Sequence, residues 1–191
     1  MSSLTLPPNP FYFTRHGETE WNRRNIVMGS QDIPLNELGL LQAQEVSRIL
    51  ENESFDIIVS STKLRAQQTA EIIAQRTNKP IVLEEGLVEI TWGEAEGTLC
   101  DPILSLLDDT CKPKGAETFF AFQKRVVDTI TSILLMKKFP LIVSHGGVFK
   151  ALTHHMGYKN LSSSNCEPFF FKPPGRTTYP WMVCSLKGEE L

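Results

Sequence analysis

Cysteine is scarce and scattered along the 191 residues. Cys100, Cys111, Cys166 and Cys184 form no C-x-x-C pair, and neither His154 nor His155 stands at zinc-ligand spacing from any of them. Four reduced thiols and no metal site are expected. Excess charge of one sign is missing too. The 19 Lys and Arg against 22 Asp and Glu give a formal charge of -3, which argues against a broad polybasic surface for nucleic acid or anionic membrane. No apolar run is long enough to span a bilayer, so no membrane partner is expected. The first ten residues, MSSLTLPPNP, carry neither the basic n-region nor the apolar run of a secretory leader, and a cytoplasmic location is expected.

Three motifs are absent as well. Without G-x-x-x-x-G-K-[ST] there is no P-loop, and without G-x-G-x-x-G after the first strand a dinucleotide fold is disfavoured. A serine hydrolase would need G-x-S-x-G, which is also missing. Nothing in the sequence calls for a cofactor.

What is present is a globular composition, 41% hydrophobic and 21% charged, of a length that suits one domain over residues 1–191. Strand-length apolar runs alternate with helical patterns, the signature of a mainly parallel sheet flanked by helices in a three-layer αβα domain. Phe11 to Thr14, Asp56 to Ser60, Ile81 to Leu83 and Leu141 to Ser144 read as strands. Asn36 reads as the N-cap of a helix with Leu38, Leu41, Val46, Ile49 and Leu50 on its apolar face. A second helix runs from Leu64 to about Thr77, with Ala66, Thr69, Ala70 and Ile73 on one side. A third runs from about Glu117 to Lys138, and a fourth from Gly146-Gly147 to near Met156. Glu167 to Phe171 and Met182 to Leu186, divided by a Pro173-Pro174-Gly175 turn, read as terminal strands, antiparallel at a sheet edge.

In such sheets ligands bind at the carboxyl ends of the parallel strands. Those ends deliver Arg15-His16-Gly17-Glu18, then Ser61 to Arg65, then Glu84-Glu85 leading to Glu89, then Ser144-His145-Gly146-Gly147. Any one of these has an ordinary structural explanation, a turn histidine or a solvated arginine. Their convergence on one rim does not. Arginine forks bind phosphate oxygens in bidentate fashion, a neutral imidazole can attack phosphorus, a second can be a charged donor, and a carboxylic acid can protonate the leaving oxygen. Phosphoryl transfer without a divalent cation is the chemistry this set suits.

Arg15-His16-Gly17-Glu18-Thr19 followed by Trp21-Asn22 resembles the signature of the histidine phosphatase, or phosphoglycerate mutase-like, superfamily. The resemblance continues through Gly29, Asp32-Ile33-Pro34-Leu35 and Gly39. It takes in Ser61 with Arg65-Ala66-Gln67-Gln68-Thr69-Ala70, then Leu87-Val88-Glu89, Gly93, Glu96-Gly97 and Arg125, and closes on Val143 to Gly147. Lys63 and Ile26 depart from the family pattern. The resemblance implies that His16 attacks the phosphoryl group to become a phosphohistidine, which water then hydrolyses. Arg15, Arg65 and His145 would clamp the transferring oxygens with the amide of Asn22, and Glu89 would be proton donor and then base. Gly146 and Gln31 are expected to join Asn22 in binding substrate.

Mutases of this family cover the site with extra segments and carry a much longer insertion than the 56 positions from Glu89 to His145. They also have Asn where Gly147 stands. A phosphatase of small phosphorylated metabolites is therefore expected, with a phosphoglycerate mutase as the alternative and an inactive binding protein as a third reading. Lys112, Lys114, Lys172 and Arg176 could meet a second anionic group, although solvated surface is the simpler account. Phe169, Phe170, Phe171, Tyr179 and Trp181 could favour a ring-bearing ester, although strand packing explains most of them.

Overall fold

The computed structural model describes residues 6–100, 106–175 and 181–187; Arg176 and Tyr179 lie outside them. Six strands form one sheet: β1 (Phe11–Arg15), β2 (Ile57–Ser61), β3 (Ile81–Glu84), β4 (Pro140–Ser144), β5 (Pro168–Lys172) and β6 (Met182–Ser185). Their spatial order is β3-β2-β4-β1-β5-β6. The first four of that order run parallel, β5 pairs antiparallel with β1, and β6 pairs antiparallel with β5. The antiparallel edge is thus two strands wide.

The period-two alternation of the strands explains the two cores. Phe11, Phe13, Val59 and Ile142 point to one face, where they meet α4 (Phe119–Leu134) and α5 (Gly146–His155). Tyr12, Ile58, Leu141 and Val143 point to the other, against α2 (Glu37–Leu50) and α3 (Leu64–Thr77). A four-residue helix, α1 (Glu20–Arg23), follows β1. Its N-cap Thr19 and Asn22 form a reciprocal capping box. In α4, Phe122, Val126, Ile130 and Leu134 are fully buried at helical spacing; each such burial is worth roughly 1.5–3 kcal/mol.

Two expectations need correction. Leu38 and Leu41 are 48% and 60% exposed, and the buried stripe of α2 is Gly39, Ala43, Val46, Ser47 and Leu50. The cause is a close backbone approach: a Cβ on Gly39 would sit 2.1 Å from the Glu18 carbonyl, and one on Gly17 would sit 2.4 Å from the Gly39 carbonyl. Packing these glycines together turns the neighbouring leucines outward. The third expected helix ends at Leu134 rather than Lys138, because Lys137 adopts a left-handed φ of 53° on the way to Pro140 and β4.

Candidate active site

Strands β1 and β4 are adjacent and parallel, yet their connections leave in opposite directions, towards β2 and towards β5. A crevice forms where such connections diverge. The His16 N–H donates to the Ser144 carbonyl at 3.0 Å, extending the ladder one residue past β1. His16 and His145 therefore emerge side by side, ring centroids 5.2 Å apart.

His16 is 3% exposed. Its Nδ1 lies 2.7 Å from the Gly17 carbonyl, which can only accept, so Nδ1 carries the proton. The Arg65 Nε–H points at His16 Nε2 from 3.2 Å, which requires a lone pair there. Two independent contacts thus fix one neutral tautomer. Burial, then the charges of Arg65 and Arg15, hold the His16 pKa well below the ordinary histidine value. The glycine of this His-Gly turn serves the close approach to α2 described above.

Arg65, from the first turn of α3, is 1% exposed. Its NH1 donates to the Gln31 carbonyl at 2.7 Å and its NH2 to the Gly29 carbonyl at 3.0 Å. Burial pushes its pKa down to about 10 despite the opposing field of Glu89. Lys63 supplies no side-chain cap to α3; Asp32 does so, its Oδ1 accepting from the Leu64 N–H at 2.6 Å. Arg15 donates through NH1 to the Ser163 carbonyl at 3.0 Å, while its buried Nε has no partner among the described residues.

His145 is completely buried, with Nε2 2.8 Å from Ser61 Oγ and Nδ1 without a partner among the described residues. Because Ser61 Oγ accepts from the Lys63 N–H at 3.3 Å, its own hydrogen can go to Nε2, leaving the N–H on Nδ1. The residue type admits a charged second imidazole. Burial, together with Arg65, His16 and Arg15, instead keeps His145 neutral by lowering its pKa well below the usual value. It remains a neutral N–H donor.

Glu89 follows a short 3-10 turn, Glu85–Leu87. Its Oε1 accepts from the Ile90 N–H at 2.9 Å and its Oε2 from the Gly147 N–H at 2.9 Å, in the first turn of α5. A Cβ at position 147 would stand 2.1 Å from Glu89 Oε1, so only glycine fits here without moving the carboxylate. Arg125 holds the turn from below, donating to the Gly86 and Val88 carbonyls and pairing with Glu117.

A cavity of about 360 Å³ opens beside these groups, lined by Arg15, His16, Arg65 and Glu89 on its polar side. Asn22 lines it too; its Oδ1 accepts from the Thr19 N–H and hydroxyl, and its Nδ2 has no hydrogen bond among the described residues. Gly146 opens α5, and a Cβ there would stand 3.5 Å from the Arg15 guanidinium. Gln31 is exposed; its side chain binds Glu96 at 2.9 Å and its carbonyl accepts from Arg65. Lys112 lies 4.3 Å over the Trp92 ring, and Lys114 pairs with Glu94 at 3.7 Å.

Sequence reasoning passed over several contributors. Asn165 lines the cavity and donates to the His16 carbonyl at 2.9 Å, from a segment that carries no motif. Trp21, Ile26, Trp92 and Cys100 form walls of the cavity. The three carbonyls that hold the arginines have no signal in residue type at all.

Residues 11–169 match the family model described as the histidine phosphatase superfamily, branch 1. The chain is 36% identical over 140 residues to a Bacillus subtilis (strain 168) protein named "Uncharacterized phosphatase PhoE", covering 72% of each. It is 34% identical over 148 residues to a Proteus mirabilis (strain HI4320) protein named "Probable phosphoglycerate mutase GpmB", covering 71% of this chain and 68% of that one. The solved structure of Bacillus stearothermophilus YhfR superimposes with a TM-score of 0.79 at 30% identity, covering 93% of this chain and 96% of that one.

Proposed function

From the premise that the chain belongs to branch 1 of the histidine phosphatase superfamily, we propose that it hydrolyses small phosphomonoesters through a phosphohistidine on His16. The observation that carries this reading is the doubly fixed neutral tautomer of His16, whose Nε2 lone pair stands beside two arginines. That lone pair forms the N–P bond as the ester P–O bond breaks, and Glu89 hands a proton to the leaving alkoxide. Glu89, now a carboxylate, takes a proton from water; the water oxygen bonds to phosphorus, the N–P bond breaks, and inorganic phosphate leaves. Each Glu89 oxygen accepts one backbone N–H and retains a second lone-pair site for these transfers.

Donors for the phosphoryl oxygens are supplied by Arg15, Arg65, His145 and Asn22. Leaving a buried polar atom unpaired costs on the order of 1–3 kcal/mol, and both Arg15 Nε and His145 Nδ1 are in that state. Phosphoryl oxygens would satisfy them. With cationic side chains in these roles the reaction proceeds without a divalent ion, so EDTA leaves turnover unchanged.

The second reading, a phosphoglycerate mutase, is favoured by the resemblance to the GpmB protein. Against it stand the short stretch between Glu89 and His145 and the exclusion of any side chain at Gly147. The deciding experiment incubates the protein with 3-phosphoglycerate and p-nitrophenyl phosphate. Release of phosphate and an acid-labile phosphoryl group, lost in His16→Ala, is the expected result. Efficient isomerisation would establish the mutase instead, and an inert protein that binds phosphate would mark a binding module.

A further inference from the structure

Glu96 lies outside the reacting groups, yet its carboxylate gathers four donors. Oε1 accepts from the Ser30 N–H at 2.8 Å and the Trp92 N–H at 3.0 Å; Oε2 accepts from Ser30 Oγ at 2.8 Å and Gln31 Nε2 at 2.9 Å. Two of its partners, Ser30 and Gln31, belong to the turn whose Gly29 and Gln31 carbonyls receive the Arg65 guanidinium. The fit is close. Gly29 takes a φ of 50°, and a Cβ there would meet Glu96 Oε1 at 2.1 Å. Backbone bonds from Gly97 to Val27 at 2.9 Å and from Val27 to Thr98 at 2.9 Å bind the same two segments together.

From this chain of contacts we infer that Glu96 is a positioning residue for the proposed phosphatase reaction, setting the Arg65 guanidinium by fixing the two carbonyls that hold it. It touches neither His16 nor the expected phosphoryl site; it acts through residues 29–31. Its field also supports the positive charge of buried Arg65. Burial works against the Glu96 carboxylate, but the bonds from Ser30, Gln31 and Trp92 outweigh it and lower its pKa, so it is ionised at neutral pH.

The inference rests on the phosphoryl-site reading, and a double-mutant cycle separates the two. Orthovanadate and inorganic phosphate affinities are measured together with kcat and KM for p-nitrophenyl phosphate, in wild type, Glu96→Ala, Arg65→Ala and the double variant. Glu96→Ala is expected to weaken anion binding and lower kcat/KM by about tenfold or more, about the loss of one charge-assisted contact. In the Arg65→Ala background the same change is expected to alter anion affinity less than about twofold. Glu96→Gln recovers most of the loss, since its carbonyl oxygen can take both backbone N–H groups while its amide meets Ser30 Oγ. Should Glu96→Ala not fold, Ser30→Ala replaces it in the cycle, with an expected loss of about threefold. An equal loss with and without Arg65, or no loss at all, overturns the role of Glu96. A wild-type chain that binds orthovanadate but turns over no phosphomonoester overturns the proposed function while the cycle still tests Glu96; no anion binding overturns both.

Discussion

Lowering the pH from about 7.5 to about 5.5 should destabilise this protein through two specific residues. His16 and His145 are both buried against Arg65 and Arg15, and both have pKa values held well below the ordinary one. The unfolded chain takes up a proton on each near pH ~6.5, whereas the folded chain does not. Their contribution is therefore fully present above about 6.5 and is lost as the pH falls below it. Over this interval each histidine that stays neutral in the fold costs about 1.4 kcal/mol, or about 2.8 kcal/mol for the pair. At this chain length 1 kcal/mol moves Tm by about 2–4 °C, so a fall of about 6–11 °C is attributable to the two histidines. Carboxylates titrate as well, so the comparison is with His145→Gln, which keeps only His16. Thermal melts followed by circular dichroism at both pH values should show the variant losing about 3–6 °C less than wild type. Parallel losses in the two proteins would refute the neutral, buried assignment, as would imidazole NMR signals that titrate near the unfolded value.

Three further outcomes are expected. Gly147→Ala drives a methyl onto Glu89 Oε1 and should lower kcat about 10–100-fold for an alkyl phosphate, whose alkoxide needs a proton, with a much smaller effect on p-nitrophenyl phosphate; equal losses for the two esters would contradict Glu89 as the acid. Gly17→Ala sets a Cβ against the Gly39 carbonyl, backbone against backbone, and should cost about 1–3 kcal/mol in urea unfolding along with most of the activity; an unchanged midpoint would show that α2 can shift freely. Leu41→Glu on the exposed face of α2 should change stability by less than about 0.5 kcal/mol; a core-sized loss would restore the original reading of that helix.

The four parallel strands were legible because each is a short apolar run bounded by turn residues, and the groups that follow them share one rim by topology. The face of α2 was not legible. Its apolar spacing admits Leu38 and Leu41, but the rotation of the helix is set by Gly17 and Gly39, whose close approach depends on two segments meeting. Charged and imidazole side chains of the site could be found in the sequence because residue type encodes them. Asn165 could not, since it is one polar residue in a loop before β5, and its bond to the His16 carbonyl exists only once β5 lies beside β1. The neutrality of His145 was likewise hidden: it follows from complete burial beside four other basic groups, Arg65, His16, Arg15 and Lys63, a property of the assembled site.

The way the arginines are held bears directly on how the site can receive a dianion. Among the described residues neither Arg15 nor Arg65 forms a salt bridge; main-chain carbonyls of Ser163, Gln31 and Gly29 hold them instead. A carboxylate paired with either guanidinium would neutralise it and would have to be displaced by incoming phosphate. Carbonyl dipoles orient the fork and satisfy its N–H groups while leaving the full positive charge. Glu89, the acid whose field acts most on Arg65, forms no salt bridge with it among the described residues; its oxygens accept the Ile90 and Gly147 N–H groups. Burying an unpaired cation is costly, and that cost appears as the lowered pKa values of both arginines. In the proposed reaction a bound phosphoryl dianion would offset that cost, so part of the affinity for substrate would come from the burial of these cations. Because the holding atoms are backbone carbonyls, the test introduces a carboxylate on the cavity wall that Arg65 shares. Met28→Glu, on the cavity wall, should raise the Arg65 pKa and weaken orthovanadate binding by about tenfold or more, with the loss shrinking as the new acid is protonated; affinity that stays constant through that titration would show that the unpaired charge does not drive binding.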